Sequence, residues 1–235
     1  MAAKLKSILK PIPWFLAARA VLFGFAWLFL PLWLFVALGL YFYFFPFFQS
    51  WKLIFPFCLT LIFGILATPS IPAAFFLTVV FFLILGIRDL FFINRIAAYE
   101  LLVFLLLFLF FLNFFEAVAN WQGMSAFFWS LILSITFFLL VRSFVNYADI
   151  NANGRTSVMV IGVGSLLLWQ LSIAVLILPL TFFSQAALLF LAAAFIIDFS
   201  IKRLDSRLNR RDLMANAVAF AVLATIIFST TRWEL

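Results

Sequence analysis

Nine apolar runs, at about 14–30, 32–48, 53–68, 73–87, 97–115, 125–141, 158–178, 182–200 and 213–229, occupy most of this chain, with only short breaks between them. Most are about 17 residues long, the lower end of what crosses a ~30 Å hydrocarbon core at 1.5 Å per helical residue. None alternates apolar and polar residues at period two, as the strands of a transmembrane barrel must. The helix is the other backbone form that satisfies its own hydrogen bonds in lipid. The expected fold is therefore all-α: a polytopic transmembrane helical bundle of about nine spans arranged as hairpins, with 1–235 forming a single integral membrane domain.

Composition closes the alternative of a soluble core. The chain is 69% hydrophobic and 10% charged, against about 45–50% apolar and about 25% charged for ordinary soluble domains. Its 37 phenylalanines read as lipid-facing bulk.

The breaks are of two kinds, and the kinds alternate. Pro31 and the stretches 69–72, 119–125 and 179–181 carry no cation, whereas Lys52 and the stretches 88–95, 142–155 and 202–211 are basic. With the N-terminus in the cytoplasm, the basic segment 1–12 with Lys4, Lys6 and Lys10 falls inside, as does every basic break. Only Arg232 falls outside. That split is what the positive-inside rule demands. It places the C-terminus outside, and the compact size points to a bacterial inner (cytoplasmic) membrane. Arg19 lies within the first run, near enough to the inner interface to snorkel. No small-x-small cleavage site follows that run, so the N-terminus reads as an uncleaved first span.

Pro31 leaves almost no room for a turn between the first two runs. The pair is either a tight hairpin of two spans or a re-entrant loop. A single long span would invert every later break and put most arginines outside. Trp14 and Trp51 fall at the inner interface, Trp27, Trp33, Trp121, Trp129 and Trp233 toward the outer one, and Trp169 between helices in mid-span.

Several function classes lose their usual residues. There is no histidine, which removes His-based acid–base chemistry, His-ligated metals and His pH switching. Cys58 is alone, so no intramolecular disulfide exists. The net charge of +7 lies between apolar runs and reads as a topology determinant, with no nucleic-acid partner implied. No cofactor or metal is expected.

A charge in lipid costs several kcal/mol, so intramembrane polar residues are the first candidates for a site. Glu100 and Glu116 bracket the fifth run, and Asn113 lies three residues before Glu116 on the same helical face. These three form the candidate polar intramembrane site, set against interfacial solvation and interhelical bonding. Asp198 and Lys202, four apart, read as a structural ion pair. The stretch 149–154 matches the first half of a calcium loop, but its twelfth position is Val160 where a bidentate acid is required, so it reads as an Asn/Gly turn. Gly162, Gly164 and Ser165 resemble a phosphate loop only in composition. With Gly24 and the alanines 192–194, they read as points of close helix approach.

The segment 201–212 reads as a basic cytoplasmic loop, with Lys202, Arg203, Arg207, Arg210 and Arg211 as candidate contacts for anionic lipid headgroups. Three readings of function follow. The first is a non-catalytic membrane subunit or scaffold acting through lipid and membrane-protein contacts. The second is a small permease for a lipid or apolar solute, with a path ringed by Asn113, Glu116, Ser134 and Gln170. The third is a lipid-modifying enzyme at the cytoplasmic face using Arg88, Asp89, Arg95, Arg142 and Asp149.

Overall fold

The computed structural model describes residues 14–45, 51–89, 92, 94–119, 125–150, 154–205 and 209–231. Among these, the regular structure is helical throughout: α1 (Trp14–Phe29), α2 (Leu32–Phe44), a single 3-10 turn (Trp51–Leu53), α3 (Ile54–Leu66), α4 (Ile71–Arg88), α5 (Arg95–Ala119), α6 (Ser125–Tyr147), α7 (Gly154–Ile177), α8 (Phe182–Leu204) and α9 (Arg210–Thr230). Five helices, α4 to α8, are long and apolar enough to cross a membrane, and α1, α2, α3 and the 214–230 part of α9 are shorter apolar helices. Each apolar run has become one helix, and the chain is a polytopic helical membrane protein. It divides into two compact units, Met1–Leu106 and Leu107–Leu235, with the boundary inside α5.

In the first unit the break at Pro31 is a true reversal. α1 ends at Phe29, and Pro31, extended at φ −61° and ψ 148°, starts α2. Proline has no N–H to continue the helix and fits a helix start. The Arg19 guanidinium reaches the Phe45 carbonyl at 3.3 Å, which brings the first part of α1 beside the end of α2. The pair is therefore an antiparallel hairpin. Its helices have 16 and 13 residues, about 24 and 20 Å at 1.5 Å per residue.

α4 is the hub of this unit, with Leu77, Val80, Phe81, Ile84 and Leu85 wholly buried. Close approach to α1 is possible because Gly24 has no side chain. A Cβ there would collide with Thr78 Oγ1 and lie 3.2 Å from the Ala74 carbonyl oxygen. Gly24→Ala is expected to cost about 1–3 kcal/mol, the usual penalty of overpacking. Thr78→Ala in the same chain recovers part of it, because the collision with Oγ1 is removed and only the contacts with the Ala74 carbonyl oxygen at 3.2 Å and the Cβ of residue 78 at 3.3 Å remain. A double-mutant cycle of unfolding in mixed micelles checks this, and strictly additive effects contradict it.

An aromatic column fills the space between these helices. Phe23 stacks on Phe81 at 3.9 Å and meets Phe35 at 4.8 Å; Phe57 approaches Phe81 at 6.3 Å and stacks on Tyr43 at 4.1 Å. This corrects the reading of phenylalanine as lipid-facing bulk. Phe23, Phe35, Phe57, Phe81, Phe111, Phe115 and Phe137 are among the most completely buried side chains, while Phe15, Phe29, Phe75 and Phe128 are exposed. Lipid tails are as apolar as a ring, so nothing but packing decides which phenylalanines turn inward.

In the second unit α6, α7, α8 and α9 follow one another as antiparallel neighbours, and Phe108 of α5 packs edge-on against Phe183 and Phe190 of α8. Small residues line the tight contacts. The alanines Ala186, Ala192 and Ala193 are buried on α8, and a Cβ on Gly164 of α7 would meet Ile196 Cγ2 at 2.7 Å. Gly162 faces open space and permits no close approach, contrary to the reading of the pair together. Ser134 donates to the Ser165 carbonyl at 2.7 Å, and the Trp169 indole donates to Ser130 Oγ at 3.0 Å, so Trp169 does bridge two helices in mid-span.

Candidate functional site

A short helix with one end near lipid must satisfy its last carbonyls without water. Side chains rich in N–H groups do this at several places here. The Trp27 indole is buried and donates to the Gly64 carbonyl at 2.6 Å, one of the last four of α3. Gly64 is bare where the Phe35 ring packs: a Cβ would sit 2.7 Å from it. The Gln185 amide donates to the carbonyls of Val175 and Leu178, at 3.3 and 3.0 Å, closing the end of α7.

The most concentrated polar arrangement in the first unit belongs to Arg88, the last residue of α4 and only 7% exposed. Its Nη1 donates to the carbonyls of Phe42 (2.9 Å) and Tyr43 (2.5 Å), two of the last four of α2. Its Nε and Nη2 donate in parallel to the two oxygens of Asp89, at 2.6 and 3.0 Å. The negative ends of the α2 and α4 dipoles thus meet a guanidinium, whose fork is matched by a carboxylate. Four of the five N–H directions of an arginine are engaged within the chain, and both Asp89 oxygens accept from one partner. The arrangement is built to hold two helix ends together. Arg19, over the Phe15 ring at 4.0 Å, bonds a carbonyl two residues beyond that of Tyr43, that of Phe45.

The other residues singled out in the sequence are dispersed. Arg95 is exposed at the start of α5. In the second unit Arg142 and Asp149 are exposed at the end of α6. Asp149 has φ 51°, and Ile150 N–H reaches back to the Val145 carbonyl at 3.4 Å. Asp149 is therefore the left-handed residue of a helix C-cap, which accounts for the first part of the calcium-like stretch; residues 151–153 lie outside the described residues.

On α5, Glu100 and Asn113 are half-buried and Glu116 is exposed. Glu100 and Glu116 are about 24 Å apart along the helix axis at 1.5 Å per residue. Asn113 and Glu116 do share a stretch of one face, whereas Glu100 belongs to the other end. Ser134 is buried and bonded to Ser165, while Gln170 is exposed. A cavity of about 320 Å³ opens in this unit between the ends of α5 and α7 and the start of α8, lined by Phe115, Val118, Leu176, Leu180, Thr181, Phe182 and Gln185. It lies at helix ends, and the ring Asn113, Glu116, Ser134 and Gln170 does not line it.

The basic segment 201–212 contains less loop than its sequence implies. α8 continues to Leu204 and α9 begins at Arg210, because Lys202 and Arg203 suit the negative end of α8 and Asn209 caps α9 by accepting from Arg211 N–H at 3.2 Å. Asp198 accepts from Lys202 at 2.8 Å, as the four-residue spacing predicts, and also from the Asn216 amide of α9. Arg203 and Arg211 are exposed. Segment 1–12 and Arg207 lie outside the described residues, as does the side chain of Arg210.

Sequence reasoning missed the carbonyl-capping roles of Arg88, Trp27 and Gln185. The one available signal was an Arg-Asp pair directly after an apolar run that follows a helix too short to span. In comparisons with known proteins, no family model, no curated protein and no solved structure matches this chain.

Proposed function

We propose that this protein is a non-catalytic subunit or scaffold of a membrane assembly, and that α9 is the helix through which a second membrane polypeptide joins it. The observation that carries this reading is the state of α9. It has 21 residues, yet none of its described side chains is buried. It rests on α8 along one edge, through Phe220 against Phe195 at 5.9 Å, Asn216 on Asp198 and Thr231 on Ser184.

Its exposed residues include a ladder of small ones, Ala217, Ala221, Thr225 and Ser229, about one helical turn apart, beside the larger Val218, Val222 and Ile226. Elsewhere in this chain several small residues mark tight helix contacts, as Gly24 does against Thr78 and Gly164 against Ile196, although Gly162 does not. Faces turned to lipid carry large side chains, such as Phe15, Phe29, Trp33, Phe75 and Phe128. A ladder of small residues is the composition of a helix–helix contact in lipid, where close backbone approach supplies the attraction. In this reading the basic helix ends face the cytoplasm and the membrane is a bacterial inner membrane.

A photo-crosslinker at position 221 is expected to give one discrete protein adduct in native membranes, lost when Ala217 and Thr225 are both changed to leucine. The same group at Phe75 gives lipid adducts only. The adduct's mass distinguishes a second copy from a different polypeptide. Lipid adducts alone at both positions contradict the reading.

A further inference from the structure

We propose that the cytoplasm-facing end of the α8–α9 hairpin is a docking site for the phosphate of an anionic lipid headgroup, held between Arg203 on one helix and Arg211 on the other. This proposal does not depend on what occupies the open face of α9.

Over residues 198–212 the sequence carries five cations, Lys202, Arg203, Arg207, Arg210 and Arg211, against the three acids Asp198, Asp205 and Asp212, an excess of positive charge. Of the acids, Asp205 is exposed directly after α8. Asp198 sits a turn below the end and is spoken for twice, by Lys202 at 2.8 Å and by the Asn216 amide. That carboxylate performs two tasks. It neutralises Lys202, and it ties the last turns of α8 to the first turns of α9, since Asn216 lies 18 residues away across the hairpin. The result is two helices whose facing ends are pinned to one another. One exposed arginine, Arg203, stands in the last turn of α8, and another, Arg211, in the first turn of α9.

Two features make a lipid phosphate the fitting ligand. First, both cations lie where the apolar parts of the helices end: the 182–200 run stops just short of Arg203, and the apolar part of α9 begins at Met214. That is the depth of lipid headgroups. Second, guanidinium groups match phosphate oxygens two at a time, which a lysine cannot do. Two arginines in the first turn of α9 also oppose its helix dipole, an arrangement that an anion at this end relieves. Each basic residue near an anionic surface contributes about fivefold in binding, so Arg203 and Arg211 together account for about 30-fold.

The test uses the full chain in nanodiscs and in mild detergent. Native mass spectrometry is run on protein exchanged from equimolar phosphatidylglycerol and phosphatidylcholine. Phosphatidylglycerol is expected to stay bound in preference, and Arg203→Gln with Arg211→Gln lowers its retention by about 30-fold. Lys52→Gln, which removes an exposed cation elsewhere, leaves retention unchanged. Asp198→Leu separates geometry from charge. It makes the hairpin more positive, so attraction by charge alone predicts stronger retention. Release of the pinned helix ends predicts weaker retention, and that is the result the proposal requires.

An equal loss in the Lys52 variant overturns the proposal, as does stronger retention in the Asp198 variant. Displacement of the lipid by millimolar inorganic phosphate, with equal binding of phosphate alone, also overturns it by making free phosphate the ligand. Failure of crosslinking at α9 with intact lipid retention strikes only the subunit reading.

Discussion

Replacing Arg88 with alanine is expected to cost about 3–5 kcal/mol of stability, the range found when one member of a buried ion pair is removed. The reason lies in what the guanidinium leaves behind. The carbonyls of Phe42 and Tyr43 lose their shared donor at the end of a 13-residue helix, and a buried carbonyl without a partner costs about 1–3 kcal/mol. The Asp89 carboxylate, one-third exposed, loses two bonds but keeps access to water, so it contributes less. Arg88→Lys retains the charge and one point contact but cannot form the parallel pair with Asp89 while reaching two carbonyls. It should recover less than half of the loss. Unfolding in mixed detergent micelles measures both variants. Equal stability of wild type and Arg88→Ala would show that α2 does not depend on this clasp.

Phe81→Ala is the second large effect. The ring is wholly buried, stacked on Phe23 at 3.9 Å and near Phe57. In a soluble protein the loss would combine transfer from water with the cavity left behind. In a bilayer the transfer part largely vanishes, because the displaced ring would have met lipid rather than water. The cavity part remains: about 24 cal/mol per Å³ over roughly 100 Å³ gives about 2–3 kcal/mol. Phe75→Ala, on an exposed face of the same helix, should change stability by less than about 0.5 kcal/mol. Comparing the two by the same unfolding measurement tests whether the aromatic column is a packed core, and similar losses at both positions would contradict it.

The contrast between Phe75 and Phe81 also marks the limit of what the sequence discloses. The helices themselves were legible, since lipid leaves the backbone few choices and each apolar run between breaks had to be one rod. Their ends were less so. The run at 97–115 became Arg95–Ala119, because a helix continues past the apolar stretch into the interface, where Glu116 can be solvated. The inward faces were not legible at all. Amphipathic periodicity reports burial only when water is on the other side, and α2, from Leu32 to Phe44, contains no charged residue and little polarity from which to read a face.

The candidate site shows the same division. The Asp198–Lys202 pair followed from local spacing and was found at 2.8 Å. Asn216, which completes it, is 18 residues away, and no local pattern announces it. Arg88 was readable as a topology determinant because its position at the end of a run carries that information. Its role as the cap of α2, whose carbonyls lie 45 and 46 residues earlier, is a tertiary fact. For Trp27 the position near a run's end was legible, but the carbonyl at the end of α3 to which its N–H donates was not.

The central claim is that these helices cross a bilayer with their basic ends on the cytoplasmic side, and α8 tests it most directly. Single cysteines replacing Pro179 and Asp205, just beyond its two ends and both exposed, are introduced with Cys58 changed to alanine. They are then treated in intact cells with a membrane-impermeant maleimide. The account predicts that position 179 reacts at once and that position 205 reacts only after the membrane is opened. Labelling of both from the same side would contradict it.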